Sequence, residues 1–179
     1  MTHAFRVGLA GLAVAVTLPL GLGGQVPPHD CKPWGNKTAL GTMCTLAHDD
    51  TVKGRQFPAG TRLHYDSSGV LDFFWITKPA AFAGLTLNGT ASGPHHALYR
   101  DGRPRVLWLE HTQDVQGVPC RPIRFWTEVV GRTSAVSFHP NGRLAACRLG
   151  RAATIQGRRF DKGARVLLDA SGRLMTEAR

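Results

Sequence analysis

The chain has 179 residues, 42% hydrophobic and 19% charged, which is enough to bury a core without help from metals and excludes a low-complexity sequence. Its 22 Lys and Arg outnumber 12 Asp and Glu, a formal charge of +10 that excludes an acidic surface and favours anionic partners through long-range attraction.

The N-terminal segment 1–24 contains Arg6 and no acid, and its apolar run from Val7 to Leu22 is broken only by glycines, Thr17 and Pro19. That is the layout of a secretory signal peptide, with small residues near Gly23 and Gly24 where a signal peptidase would cut. An uncleaved anchor is the alternative, although the run is short for a membrane span. Removal of this segment leaves a charge of +9 on residues 25–179, the expected β-repeat domain. The expected location is periplasmic or extracellular.

All four cysteines, Cys31, Cys44, Cys120 and Cys147, follow the leader. An even count in an oxidising compartment predicts two disulfides, with three connectivities open. No Cys-x-x-Cys pair is present, so a zinc site is not expected.

From Cys44 onward the chain reads as about four degenerate copies of one unit, near 44–75, 76–108, 109–148 and 149–179. Residues 44–71 align with 147–174 without a gap, and 12 of the 28 positions are identical, among them Gly54 and Gly157, Phe57 and Phe160, Gly69 and Gly172. A shorter signature recurs as Leu46/Val52/Gly54, Ile76/Phe82/Gly84, Leu109/Val115/Gly117 and Leu149/Ile155/Gly157, with glycine spacings of 30, 33 and 40 residues. Loops of variable length between conserved cores are typical of repeat architectures.

Within each unit the period-two alternation of segments such as Thr61–Tyr65 and Ala164–Leu168 predicts strands. Turn residues at 66–69, 100–102, 140–142 and 170–172 predict hairpins, because Asp-Gly and Asn-Gly reach positive φ at little cost. The second strands at 71–76 and 106–109 are apolar on both faces and must be covered twice. The fold expected is therefore all-β: antiparallel hairpin repeats in a rolled sheet, sandwich or open barrel, behind an N-terminal signal helix. The repeat also suggests the disulfide pairing. Cys120 in Val-Pro-Cys-Arg-Pro matches Cys31 in His-Asp-Cys-Lys-Pro, and Cys44 and Cys147 share one repeat position, so Cys31 is expected to pair with Cys44 and Cys120 with Cys147, each bridge joining neighbouring strands.

The element Phe138–Leu144, echoed at Tyr65–Leu71 and Leu168–Leu174, resembles the hairpins of bacterial variants of the MORN repeat. The resemblance covers about seven residues per unit and implies a non-catalytic hairpin array used for binding or scaffolding. These units are longer than the usual MORN period and carry cysteines. The chain is also similar to exported bacterial proteins with Gly-x-x-Cys and Asn-Gly-x-Leu repeats, a likeness that implies no activity.

No Gly-x-Ser-x-Gly elbow, Walker loop, His-Glu-x-x-His or dinucleotide fingerprint occurs, so no catalytic residue, metal ligand or cofactor is assigned. His64 with Asp66, and His139, are read as exposed hairpin-tip residues, and adjacent His95 and His96 as pointing to opposite faces. Arg55 and Arg158, and Arg62 and Arg165, recur at matching repeat positions and are the candidate anion-binding residues, a column of positive charge on one side of the sheet. The plainer reading is that they pair with acids or cover apolar surface with their stems. Trp75, Trp108 and Trp126 lie in apolar runs expected in the core, which speaks against nucleic acid as the partner.

The expected function is thus non-catalytic binding or scaffolding at the cell envelope, toward an anionic polymer, a membrane surface or another protein. The alternatives are a small envelope hydrolase assembled from scattered His, Asp and Arg, and an inhibitor of a secreted enzyme acting through the insertion at 121–134.

Overall fold

The computed structural model describes residues 30–35, 41–89, 93–122 and 135–175. The expected signal segment at 1–24, Trp126 and most of the 121–134 insertion lie outside them.

The described residues are all-β. In chain order the strands are β1 (Asp30–Pro33), β2 (Thr42–Thr45), β3 (Asp50–Val52), β4 (Arg55–Phe57), β5 (Arg62–Tyr65), β6 (Leu71–Trp75), β7 (Ala80–Phe82), β8 (Leu85–Leu87), β9 (His96–Leu98), β10 (Pro104–Leu107), β11 (Gln113–Val115), β12 (Val118–Cys120), β13 (Val136–Phe138), β14 (Leu144–Arg148), β15 (Ala153–Ile155), β16 (Arg158–Phe160) and β17 (Arg165–Leu167). Nine of them form one sheet in the order β1-β2-β5-β6-β9-β10-β13-β14-β17, and the other eight pair as the two-stranded hairpins β3-β4, β7-β8, β11-β12 and β15-β16. Neighbouring sheet strands run antiparallel throughout.

Two kinds of turn alternate along the chain. The four hairpins close at Lys53-Gly54, Ala83-Gly84, Gln116-Gly117 and Gln156-Gly157, where both residues have positive φ. That is the type I′ turn, whose twist matches the strands it joins. Between consecutive strands of the sheet, the N–H groups of Gly69, Gly102, Gly142 and Gly172 donate to the carbonyls of Asp66, Tyr99, His139 and Asp169. These are three-residue loops, a type I turn followed by a left-handed glycine. The tight turns therefore stand at the glycines of the repeat signature. Asp101 and Asn141 of the Asp-Gly and Asn-Gly pairs keep negative φ, in a longer loop.

The hairpins fold over one face of the sheet. Leu63, Phe74, Leu107, Val136, Leu144 and Val166 of the sheet share one buried cluster with Phe57, Phe82, Leu87, Val115, Val118 and Ile155 of the hairpins. Each such side chain stabilises the fold by roughly 1.5–3 kcal/mol relative to an exposed one. Hairpin tips are also pinned by hydrogen bonds. Gln116 donates to the Gly142 carbonyl and accepts from the Leu144 N–H, and Gln156 does the same at Gly172 and Leu174.

Cys31 is disulfide-bonded to Cys44, its direct cross-strand partner between β1 and β2. Cys120 is bonded to Cys147. This second bridge does not join neighbours of one sheet: it ties β12 of a hairpin down onto β14 of the nine-stranded sheet, across the core. Two disulfides fit an oxidising compartment.

Candidate functional site

The face of the sheet turned away from the hairpins takes its character from one irregularity. His64 pairs with Phe73 and Tyr65 with Leu71, so Asp72 is the extra residue of a β-bulge. Leu63 and Phe74 then point into the core, while His64, Phe73, Arg62 and Trp75 stand on the open face.

These side chains form a ring of aromatic contacts. The His64 imidazole lies flat on Phe73, with centroids 4.0 Å apart and planes 6° apart. Trp34 meets His64 edge-on at 6.1 Å, and Trp75 meets Phe73 edge-on at 5.2 Å. His95 closes the group at 4.7 Å from Phe73 and 5.6 Å from Trp75. The Trp75 indole N–H is taken up by the Gly93 carbonyl at 2.8 Å. Above the two indoles lies Arg62, its Cζ 4.8 Å from the Trp75 centroid and 5.9 Å from that of Trp34.

His64 is buried and bonded to Asp72, not exposed at a hairpin tip beside Asp66. Its Nδ1–H donates to the Asp72 carboxylate at 2.6 Å. Asp66 is committed instead to its own loop, accepting from Ser68 and Val70, and these hydrogen bonds, that of the Ser68 hydroxyl first, hold its carboxyl below the usual range. The His64 Nε2 is buried and meets no hydrogen-bonding partner among the described residues. It abuts Gly41, where an added Cβ would come within 2.8 Å of it. A His–Asp pair is the arrangement of a general base, but a base must reach its substrate, and this nitrogen is sealed under the chain.

The two adjacent histidines point to opposite faces. His95 belongs to the open-face cluster, where burial first and then Arg105 lower its pKa. His96 stacks on Phe74 on the core side, and burial pushes its pKa down to about 4. His139 donates from Nε2 to the Leu168 carbonyl and serves the fold. Among the described residues no three His, Cys, Asp or Glu side chains group as metal ligands.

The four candidate arginines do not form one column. Arg55 lies 4.6 Å over Phe82 and donates to the Gly102 carbonyl, and Arg158 lies 5.0 Å over Phe160. Arg158 and Arg165 line one small pocket with Phe160, Leu167, Leu174 and Met175. Arg62 stands on β5 and Arg165 on terminal β17, six strand steps away in the sheet, or about 29 Å at a 4.8 Å spacing. Three of the four guanidiniums thus cover aromatic rings. Trp108 is buried as its apolar run implies, whereas Trp75 is half-buried on the open face.

Asp72, Phe73, Trp34 and His95 carry no motif, and it is the bulge together with the pairing of β1, β2, β5, β6 and β9 that gathers them around His64. The doubly apolar segment 71–76 was the one available signal, since its second set of large side chains had to stand somewhere other than the core. No protein-family model, curated protein or solved structure matches the chain.

Proposed function

We propose that this is an exported β-hairpin-repeat protein that works by binding, holding an anionic partner at the cell envelope through the open face of its sheet. The observation that carries the reading is Arg62: its guanidinium is held against two indoles on that face, and it has no ion pair or hydrogen bond to any described residue. A cation in that position, on a chain of formal charge +10, is suited to an anion from outside.

Export rests on the leader-like segment at 1–24 and is supported by the two disulfides. The reading as copies of one unit, near 44–75, 76–108, 109–148 and 149–179, rests on the identities between 44–71 and 147–174. The shared φ pattern of the four hairpin turns supports it. Such an array presents a broad surface and needs no catalytic centre.

The test is sedimentation of the purified chain with an envelope fraction across a salt series. Retention should fall steeply between about 0.1 and about 1 M salt, as the Debye length shrinks from about 10 to about 3 Å. Retention that is absent, or indifferent to salt, overturns the proposal.

A further inference from the structure

The open face can be assigned a ligand chemistry, on the basis of the binding role just proposed. Among the half-buried arginines, Arg55 donates to the Gly102 carbonyl and Arg148 to the Gly163 carbonyl. Arg62 is also half-buried, yet its guanidinium meets no acceptor among the described residues. A guanidinium so placed keeps its N–H groups for water or an outside acceptor, and a carboxylate takes two of them at once through the fork geometry. The indoles of Trp34 and Trp75 already hold the group in place, so little side-chain entropy remains to be lost on binding.

The surroundings narrow the choice of anion. Trp75 has spent its N–H on Gly93, and Trp34, Phe73 and Trp75 are all half-buried. Next to the guanidinium the site therefore offers mainly apolar ring surface, which suits C–H groups better than a bare phosphate chain. Asp72 is 37% exposed and uses one carboxylate oxygen on His64, leaving the other as an acceptor for hydroxyl groups on the far side of Phe73. A carboxylate, C–H faces and hydroxyls occur together on an acidic sugar.

We infer that Arg62, flanked by Trp34 and Trp75 and accompanied by Asp72, is a receptor for the carboxylate-bearing sugar units of an acidic polysaccharide. The probes are polygalacturonate, neutral dextran and polyphosphate, read by tryptophan fluorescence and affinity electrophoresis of the full chain. Polygalacturonate should bind and perturb the fluorescence, and dextran should not. R62Q should weaken binding by about tenfold or more, the equivalent of one lost charge-assisted pair. R62K, which keeps the charge but not the fork, should weaken it to a similar degree. R159Q, on β16 of the distant β15-β16 hairpin, should bind within about twofold of the unaltered chain, because additivity holds for distant sites. Near-UV circular dichroism of each variant reports whether the fold is intact.

Binding of R62Q at native strength overturns the assignment, as does polyphosphate bound as tightly and with the same dependence on Arg62. If polygalacturonate is not bound while salt-sensitive envelope retention persists, the sugar assignment falls and the binding role stands. If retention is absent as well, both fall.

Discussion

His96 stacks on Phe74 with ring centroids 4.9 Å apart, and both of its nitrogens are engaged. The Trp108 N–H donates to Nδ1, and Nε2–H donates to the Asn88 carbonyl, each at 3.3 Å. The neutral imidazole fits this site completely. A second proton on Nδ1 would face another donor in a buried position, which is why burial holds the pKa near 4.

A pH dependence of stability follows. The pKa of His96 is lowered on folding, so between about 6.5 and about 4 the unfolded chain binds more protons than the folded one. Its contribution is complete above pH 6.5 and is lost as the pH falls to about 4, amounting to up to about 3 kcal/mol. His95, shifted in the same direction, adds to the trend. Urea unfolding at closely spaced pH values should show this fall, and H96Q should flatten it while lowering stability at neutral pH. A stability flat from neutrality to pH 4 would refute the assignment.

Ala83 offers a stabilising substitution. It is exposed and sits at φ 51°, the left-handed region that disfavours alanine, beside Gly84 in a type I′ turn. A83N should raise stability by roughly 0.5–1 kcal/mol, because Asn-Gly is the preferred pair for this turn. The control is G84A. An added Cβ there meets nothing within 4 Å, so its cost, about 1 kcal/mol, comes from the φ of 78° alone. Thermal melts that rank A83N below the unaltered chain would show that the turn is not of this type.

Gly89 and Gly150 are both crowded, with different consequences. A Cβ on Gly89 would lie 2.2 Å from the Lys78 carbonyl carbon and 2.3 Å from its Cα. Backbone cannot step aside there, so G89A should cost several kcal/mol, roughly 3 or more, with no rescue by substitution at Lys78. A Cβ on Gly150 would instead meet the side-chain Cγ2 and Oγ1 of Thr112, both at 2.3 Å. T112A should therefore recover a large part of what G150A loses, a coupling of about 1 kcal/mol or more in a double-mutant cycle. Simple additivity at Gly150 would place the strain elsewhere.

The strand segments, the glycine punctuation and the two disulfide partners could be read from the residues, because each leaves a local mark. Positive φ at the second turn position demands glycine, and Gly54, Gly84, Gly117 and Gly157 recur for that reason. The first position holds Lys53, Ala83, Gln116 and Gln156, which bear no such mark, so the Asp-Gly and Asn-Gly pairs reveal the three-residue hairpin loops at 100–102 and 140–142 while the tighter two-residue turns leave only their glycines to be read. The open-face cluster was hidden by the bulge at Asp72. Period two places His64 on the face away from the core, but nothing local reveals that Phe73 will lie against it or that Asp72 will reach its Nδ1. Arg62 and Arg165 coincide when residues 44–71 are laid over 147–174, whereas their neighbours across the sheet, Trp75 and Arg148, are unlike.

The two disulfides should differ in both accessibility and weight. Cys31 is exposed on β1, while Cys120 is 0% and Cys147 2% exposed inside the core. A mild reductant on the folded chain should therefore open Cys31–Cys44 first, and alkylation followed by peptide mapping should label those two cysteines before the others. The sequence separations are 13 and 27 residues. Restriction of the unfolded chain then contributes roughly 3 kcal/mol for the first bridge and roughly 3.5 kcal/mol for the second. The gap should widen in practice, because Cys120–Cys147 also fixes β12 against β14 over the shared core, and paired alanines there remove two side chains from that core where C31A/C44A removes one exposed side chain of the edge strand and one buried one of β2. C120A/C147A should accordingly unfold at lower urea than C31A/C44A; the reverse order would mean that the hairpins are held to the sheet by packing alone.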